Sequence, residues 1–433
     1  MRSVRPITNC FSTFFLCFLL SLSASLHAQE NSPYSRYGLG DLVQAQNILN
    51  RGMGGLATAY ADYSTVNFTN PASYANLKIT TLDIGLDYNS RSLRALNPAR
   101  KFNSAYLIPS YLQIGLPLSK KRNWGMNIGM RPITRINYDI VTRTRLANID
   151  SARYNYVGNG GTYQAFMGMA YGIKNLNIGF QAGYLFGNKE YTSRIAFLND
   201  TITYRNTNSS DTTRFGGMFF NAGFQYTINL NEKTKLRFAG HGNMETKLRA
   251  TRNISRETIE LSANTGVVLV DSIFRGENQK GEIIYPSAWG LGFVLDRENN
   301  WLVGAELGMG NWSNYRYYGT ADNLTNNWIF RLGAQVIPNY KSDNYWSRVA
   351  YRAGAWFGPD IIQLNNKVPQ YAFTFGAGLP VRRNVYTNQY TTINTAFEIG
   401  FRGNKSNDIR ESLFRFSLGL NLSDIWFNKP KYQ

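Results

Sequence analysis

The chain has 433 residues, 14% of them aromatic and 17% charged, with 39 glycines and a formal net charge of +19. Its two cysteines, Cys10 and Cys17, fall within the first 28 residues. That excludes a disulfide framework and thiolate metal sites in everything that follows.

The first 28 residues read as an export signal: Arg2 and Arg5 open it, Phe11 to Leu22 is an almost unbroken apolar run, and Ala28 precedes the expected cut. The run is too short to cross a bilayer as a helix. An exported, strongly basic chain fits contact with anionic lipopolysaccharide or phospholipid head groups, or simply solvated loops, and does not fit nucleic acid.

Residues 29–77 show little alternation. Arg51-Gly52-Met53-Gly54-Gly55 permits tight turns and close backbone approach but lacks the Lys-Ser/Thr of a phosphate loop. Asn70-Pro71-Ala72 favours a turn, because proline restricts the residue before it and donates no backbone hydrogen bond. Tyr34, Tyr37, Tyr60, Tyr63, Phe68 and Tyr74 are too few to build a large core alone. Such a segment is able to fold inside something.

From residue 78 a period of two takes over, as in a strand whose faces differ. In "LDIGLDY" Leu82, Ile84, Leu86 and Tyr88 oppose Asp83, Gly85 and Asp87; in "WGMNIGM" Trp124, Met126, Ile128 and Met130 oppose Gly125, Asn127 and Gly129. Fourteen such segments follow, near 79–90, 105–117, 123–136, 162–174, 176–188, 214–229, 235–247, 283–296, 300–312, 326–338, 346–358, 370–380, 389–402 and 412–427. Each is long enough to cross a bilayer at a tilt. The stretches 137–161, 189–213 and 248–282 read as long external loops, and those after the even strands as short turns. The expected fold is therefore all-β, a transmembrane antiparallel barrel of fourteen strands over 78–427 with residues 29–77 as an internal hatch and 428–433 as a short periplasmic tail. A soluble sandwich or propeller would bury the apolar face, and would not need the aromatics at strand ends, Trp124, Tyr138, Trp301, Trp312, Trp328 and Trp426.

The wet faces carry Arg131, Arg135, Arg237, His241, Glu245, Glu306, Arg331, Arg348, Arg352, Glu398 and Arg415. Pointing inward they would pair with one another and with the hatch, since buried charge without a partner is costly; the sharper reading is an arginine ring for a carboxylate head group. No catalytic residues, metal site or cofactor are expected: beyond the signal there is one histidine, His241, no cysteine and no G-x-S-x-G elbow.

At "RGMGGLATAYAD" followed by Asn70-Pro71-Ala72, the sequence resembles the FadL-type family of outer-membrane transporters for long-chain fatty acids and other hydrophobic compounds. "YSRYGLGDL" is also similar to the start of mature FadL-like proteins from Bacteroidetes, some of which serve as secretion partners. The resemblance implies a fourteen-stranded barrel in the outer membrane of a Gram-negative bacterium, plugged by an N-terminal hatch. It implies gating by Gly52, Met53, Gly54, Gly55, Asn70, Pro71 and Ala72, a hydrophobic ligand near Met53, Tyr60, Phe68 and Tyr74, and passive entry. A lateral exit at the third strand would fall at Gly125, Gly129 and Pro132, although Pro132 also reads simply as the end of the spanning part near the outer rim. The alternative function is a barrel that docks a secretion or outer-membrane assembly partner through its basic loops.

Overall fold

The computed structural model describes residues 31–96, 99–119, 123–146, 150–198, 204–262, 266–364, 366–381 and 390–424. The export signal and the expected tail, with Trp426, lie outside them. Fourteen antiparallel strands form the wall: β1 (Thr80–Ala95), β2 (Arg100–Ser119), β3 (Asn123–Leu146), β4 (Asp150–Ile173), β5 (Leu176–Leu198), β6 (Asn206–Asn229), β7 (Thr234–Asn243 and Thr246–Ser262), β8 (Gly266–Tyr285 and Ala288–Arg297), β9 (Trp301–Gly310), β10 (Asn327–Val336), β11 (Ala350–Gln363), β12 (Lys367–Val381), β13 (Tyr390–Arg402) and β14 (Ile409–Asp424). β14 pairs with β1 from Ile409↔Ala95 to Asp424↔Thr80, which closes the ring and removes its edges. Pro286, with no N–H to give, marks the break in β8.

The period of two sorts the faces as lipid and water require. On β5, Ile178, Phe180 and Tyr184 are half exposed on the outside while Asn177 and Gln181 are buried within. Such an exterior is greasy and the interior polar, as in outer-membrane barrels. Two of the expected belt aromatics point the other way: Tyr138 and Trp312 are buried inside.

The expected long loops are strand instead. β3, β4 and β6 run 24 residues each, whereas β9 and β10 have ten. Ten tilted residues cross a bilayer; 24 run roughly 80 Å at about 3.3 Å each. β3 to β8 therefore stand as a six-stranded wall over one side of the barrel mouth. The paired stretches Asp139↔Val157, Asp211↔Ile254 and Lys280↔Thr251 all lie within what reads as loop.

The wall has one seam. β2 and β3 pair only from Ser119↔Trp124 to Leu112↔Met130. Beyond that point β2 stays with β1 as far as Arg100, and β3 stays with β4 as far as Leu146. A register shift between Pro132 and Thr134 sits just past the parting. β3 itself continues past Pro132 as far as Leu146.

Candidate functional site: a strapped seam and the chamber behind it

Residues 31–78 thread down the lumen, from the tall end toward the start of β1. Their uppermost part, 31–43, is a strap along the edge of β3 that β2 has left. Ser32 N donates to Asn137 O at 2.9 Å, Asp41 and Leu42 pair with Arg135 and Thr134, and Val43 N donates to Ile133 O at 2.9 Å. The strap is thus a strand added where the seam would leave N–H and C=O groups unpaired.

Charge fixes it there. The Asp41 carboxylate receives Arg91 Nη1 and Arg402 Nη1, each at 2.9 Å, and both guanidiniums also reach Glu411, at 3.6 and 3.4 Å. Arg402 further pairs with Asp360 and lies 4.3 Å over the ring of Tyr34, whose hydroxyl donates to Ile409 O at 2.7 Å. Burial works against the charged carboxylate of Asp41, but Arg402 and Arg91 outweigh it and hold the group at about 2, below its ordinary 3.8. The sequence singles out Arg51 only within the glycine run, and Asp41, Arg91, Asp360, Arg402 and Glu411 not at all. The signal for Arg91 was available: it shares the wet face of β1 with Asp83 and Asp87.

Below the strap, residues 44–58 form a floor. The short helix Ile48–Arg51 is capped by Asn47, and Arg51 reaches Asp87 at 2.6 Å. Glu306 Oε2 accepts from the backbone N–H groups of Ala57 and Thr58 at 2.8 and 2.7 Å, while its other oxygen pairs with Arg331 at 2.9 Å. Gly54 N donates to Thr374 at 2.7 Å. The glycine run and the wall glycines allow close contact: a Cβ on Gly54 would overlap the backbone of Leu332 and Ala355, and one on Gly333 or Gly354 that of Met53 and Gly54.

The lowest part, 66–77, holds the Asn-Pro-Ala turn. Asn70 Oδ1 accepts from Ala72 N at 3.0 Å, capping the turn Pro71–Asn76, and its amide donates to Thr58 O at 2.8 Å and Phe224 O at 3.2 Å. It therefore ties floor, turn and wall together. Tyr74 donates to Gln181 at 3.0 Å, and Gly125 in β3 accepts the Tyr74 carbonyl so closely that any Cβ there would overlap it.

Between strap and floor lies a chamber of about 360 Å³. Leu42, Val43, Ala45, Gly54, Gly55 and Thr58 bound it from the N-terminal segment. The barrel supplies apolar groups, Ile133, Leu185, Phe219, Trp289 and Met309 among them, and charged ones, including Arg91, Arg131, Glu306, Glu398 and Arg415. An apolar layer containing Tyr34, Leu39, Trp312 and Tyr315 packs at its upper end. The sequence candidates for ligand contact fall elsewhere: Met53, Tyr60, Phe68 and Tyr74 are buried in the segment's packing and do not line the chamber. Of the candidates for gating, Gly54 and Gly55 reach it, and Asn70, Pro71 and Ala72 lie below.

The charged residues divide. Arg331–Glu306 and Arg415–Glu398 are ion pairs. Arg131 makes none among the described residues; it donates to Gln164 at 3.1 Å and Ala45 O at 3.1 Å and stacks 4.8 Å over Phe68. Arg237 and Arg352 are likewise held by neutral oxygens, those of Ala59, Gln335 and Asn394. Glu245 lies exposed at the break in β7, and Arg348 in the short helix Tyr345–Arg348 that precedes β11. His241 lines the chamber with an unpartnered Nδ1.

A family model described as BamG matches residues 11–433. No curated protein matches the sequence. Among solved structures, the chain is similar to a CymD monoaromatic hydrocarbon channel at 14% identity and a TM-score of 0.57, over 90% of this chain and 100% of that one. A FadL homologue of Pseudomonas aeruginosa matches at 11% and 0.56, over 90% and 99%. The toluene transporter TbuX of Ralstonia pickettii matches at 13% and 0.56, over 88% and 99%. At such identities the likeness is one of fold, the FadL-type barrel.

Proposed function

This chain belongs to the BamG family, and from that premise and its FadL-type fold we propose that it is an outer-membrane channel through which a small amphipathic or hydrophobic molecule passes by way of the chamber and the seam. The observation that carries the reading is the strap: residues 41–46 line the chamber, and Asp41 to Val43 pair with the edge of β3 where β2 has parted from it. The parting begins at Met130, at the outer end of the roughly ten residues of β3 that span the bilayer, so a molecule leaving sideways at its lower end would pass directly to lipid. Arg131, a buried cation at the chamber wall that pairs with no carboxylate among the described residues, suits an anionic head group such as that of a fatty acid.

A covalent lock tests this. Leu42→Cys with Thr134→Cys places the only two thiols of the exported chain at paired positions of strap and β3. Uptake of radiolabelled dodecanoate and toluene by cells relying on this variant should fall about tenfold or more when the pair is oxidised and recover on reduction. Equal uptake in both states would count against the seam as the route.

A second reading, a docking subunit of a secretion or outer-membrane assembly complex, is favoured by the wall of β3 to β8. Conduction makes no use of so tall a structure on one side.

A further inference from the structure

The six-stranded wall has two edges, and the chain treats them differently. The β3 edge is covered by the strap from Ile133 to Asp139. The β8 edge, residues 266–278, pairs only inward with β7 among the described residues; beyond it the Tyr318 hydroxyl donates to Gln279 O at 2.8 Å and the two-residue strand Arg316–Tyr317 meets β8 at Ile283 and Ile284. Along that edge Val267, Val268, Leu269, Ile273 and Phe274 stand 41–66% exposed. This part of β8 lies beyond the ten residues that span the bilayer, so water and not lipid meets those side chains.

We propose that the β8 edge binds an extended strand of a partner protein by backbone pairing. This rests on the docking reading of the wall. Three observations select the occupant. Unpaired N–H and C=O groups in a row are matched by another strand and by neither lipid nor a small molecule. The opposite edge of the same sheet already takes an extended segment, here from the chain itself. A second copy is a poor occupant: two barrels in one membrane are related by an axis along the membrane normal, so their β8 strands run the same way and cannot form a symmetric antiparallel pair. Register shifts at Leu269/Asp271, Ser272/Phe274 and Gly276/Gln279 bend the strand and turn Ile273 outward. The regular pairing surface is thus Gly266–Leu269, with Ile273 and Phe274 as side-chain contacts. The partner segment carries apolar residues opposite them.

Amide hydrogen exchange tests the proposal on the full chain, compared within complexes gently extracted from its own outer membrane and after separation from every other protein. Peptides covering 266–278 should exchange about tenfold or more slowly in the extracted complex. Val268→Pro and Leu269→Pro place a missing N–H on opposite edges, since successive N–H groups alternate; the one facing outward should release the partner while β7–β8 pairing persists. A partner that co-purifies while 266–278 still exchanges freely overturns this site and leaves the docking reading standing. Free exchange with no partner overturns both. Protection that returns in the separated chain on raising its concentration would assign the edge to a second copy and overturn the proposal.

Discussion

Asp41 is the residue on which the strap turns. Its carboxylate bridges two buried guanidiniums, Arg91 and Arg402, that come from opposite sides of the closing β14 and that Glu411 and Asp360 also face. Asp41→Asn should weaken strap docking by about 1.5–3 kcal/mol, the worth of hydrogen bonds to charged groups, read as faster exchange of residues 31–43 with the barrel intact. Unchanged exchange would show that backbone pairing to β3 is sufficient. Because the folded pKa lies below the ordinary one, the ion pair's contribution is complete above pH about 4 and fades as pH falls toward about 2. The strap should therefore loosen in acid before the wall does. Residue identity was only partly legible here: Arg331 with Glu306 and Arg415 with Glu398 come from wet strand faces whose period exposes them. Asp41 lies in a segment without any period, so nothing local distinguished it from a loop acid.

At the scale of elements, the number of strands was legible and their length was not. Lipid outside and water inside impose a period of two on the spanning part of every strand, and each of the fourteen segments overlaps one strand, although the start of 346–358 is the short helix Tyr345–Arg348. Above the membrane both faces of β3 to β8 are wet, the period fades, and "LNDTITYRNTNSSDTT" has the composition of a loop although Asn206 to Thr213 are paired in β6. Pro132 shows the same limit. Its fixed φ and missing N–H announced an irregularity, but that β2 departs just before it depends on residues 31–43, far away in sequence. The turn at Asn70 is testable as an element. Gly179 lets β5 approach Pro71 and Ala72, whereas Gly400 has nothing nearer than 3.6 Å. Gly179→Ala should cost about 1–3 kcal/mol by overpacking and loosen 70–77, and Gly400→Ala should cost little. Similar melting of the two variants would mean the turn moves freely.

For the whole molecule, a closed barrel filled by its own N-terminal segment accounts for both the strongly polar interior and the apolar exterior, and for a chain that needs no disulfides. The fold is that of hydrophobic-compound channels at 11–14% identity, while the family is BamG. Which task the fold performs here comes down to the chamber. Native mass spectrometry of the protein, gently extracted from its own outer membrane, tests that most directly. We expect a lipid-sized mass retained on the chain and lost in Arg131→Ala, whether or not a partner is also bound. A chamber that is empty in every charge state, on a chain bound to a stoichiometric protein partner, would contradict transport and leave a transporter's fold in the service of assembly.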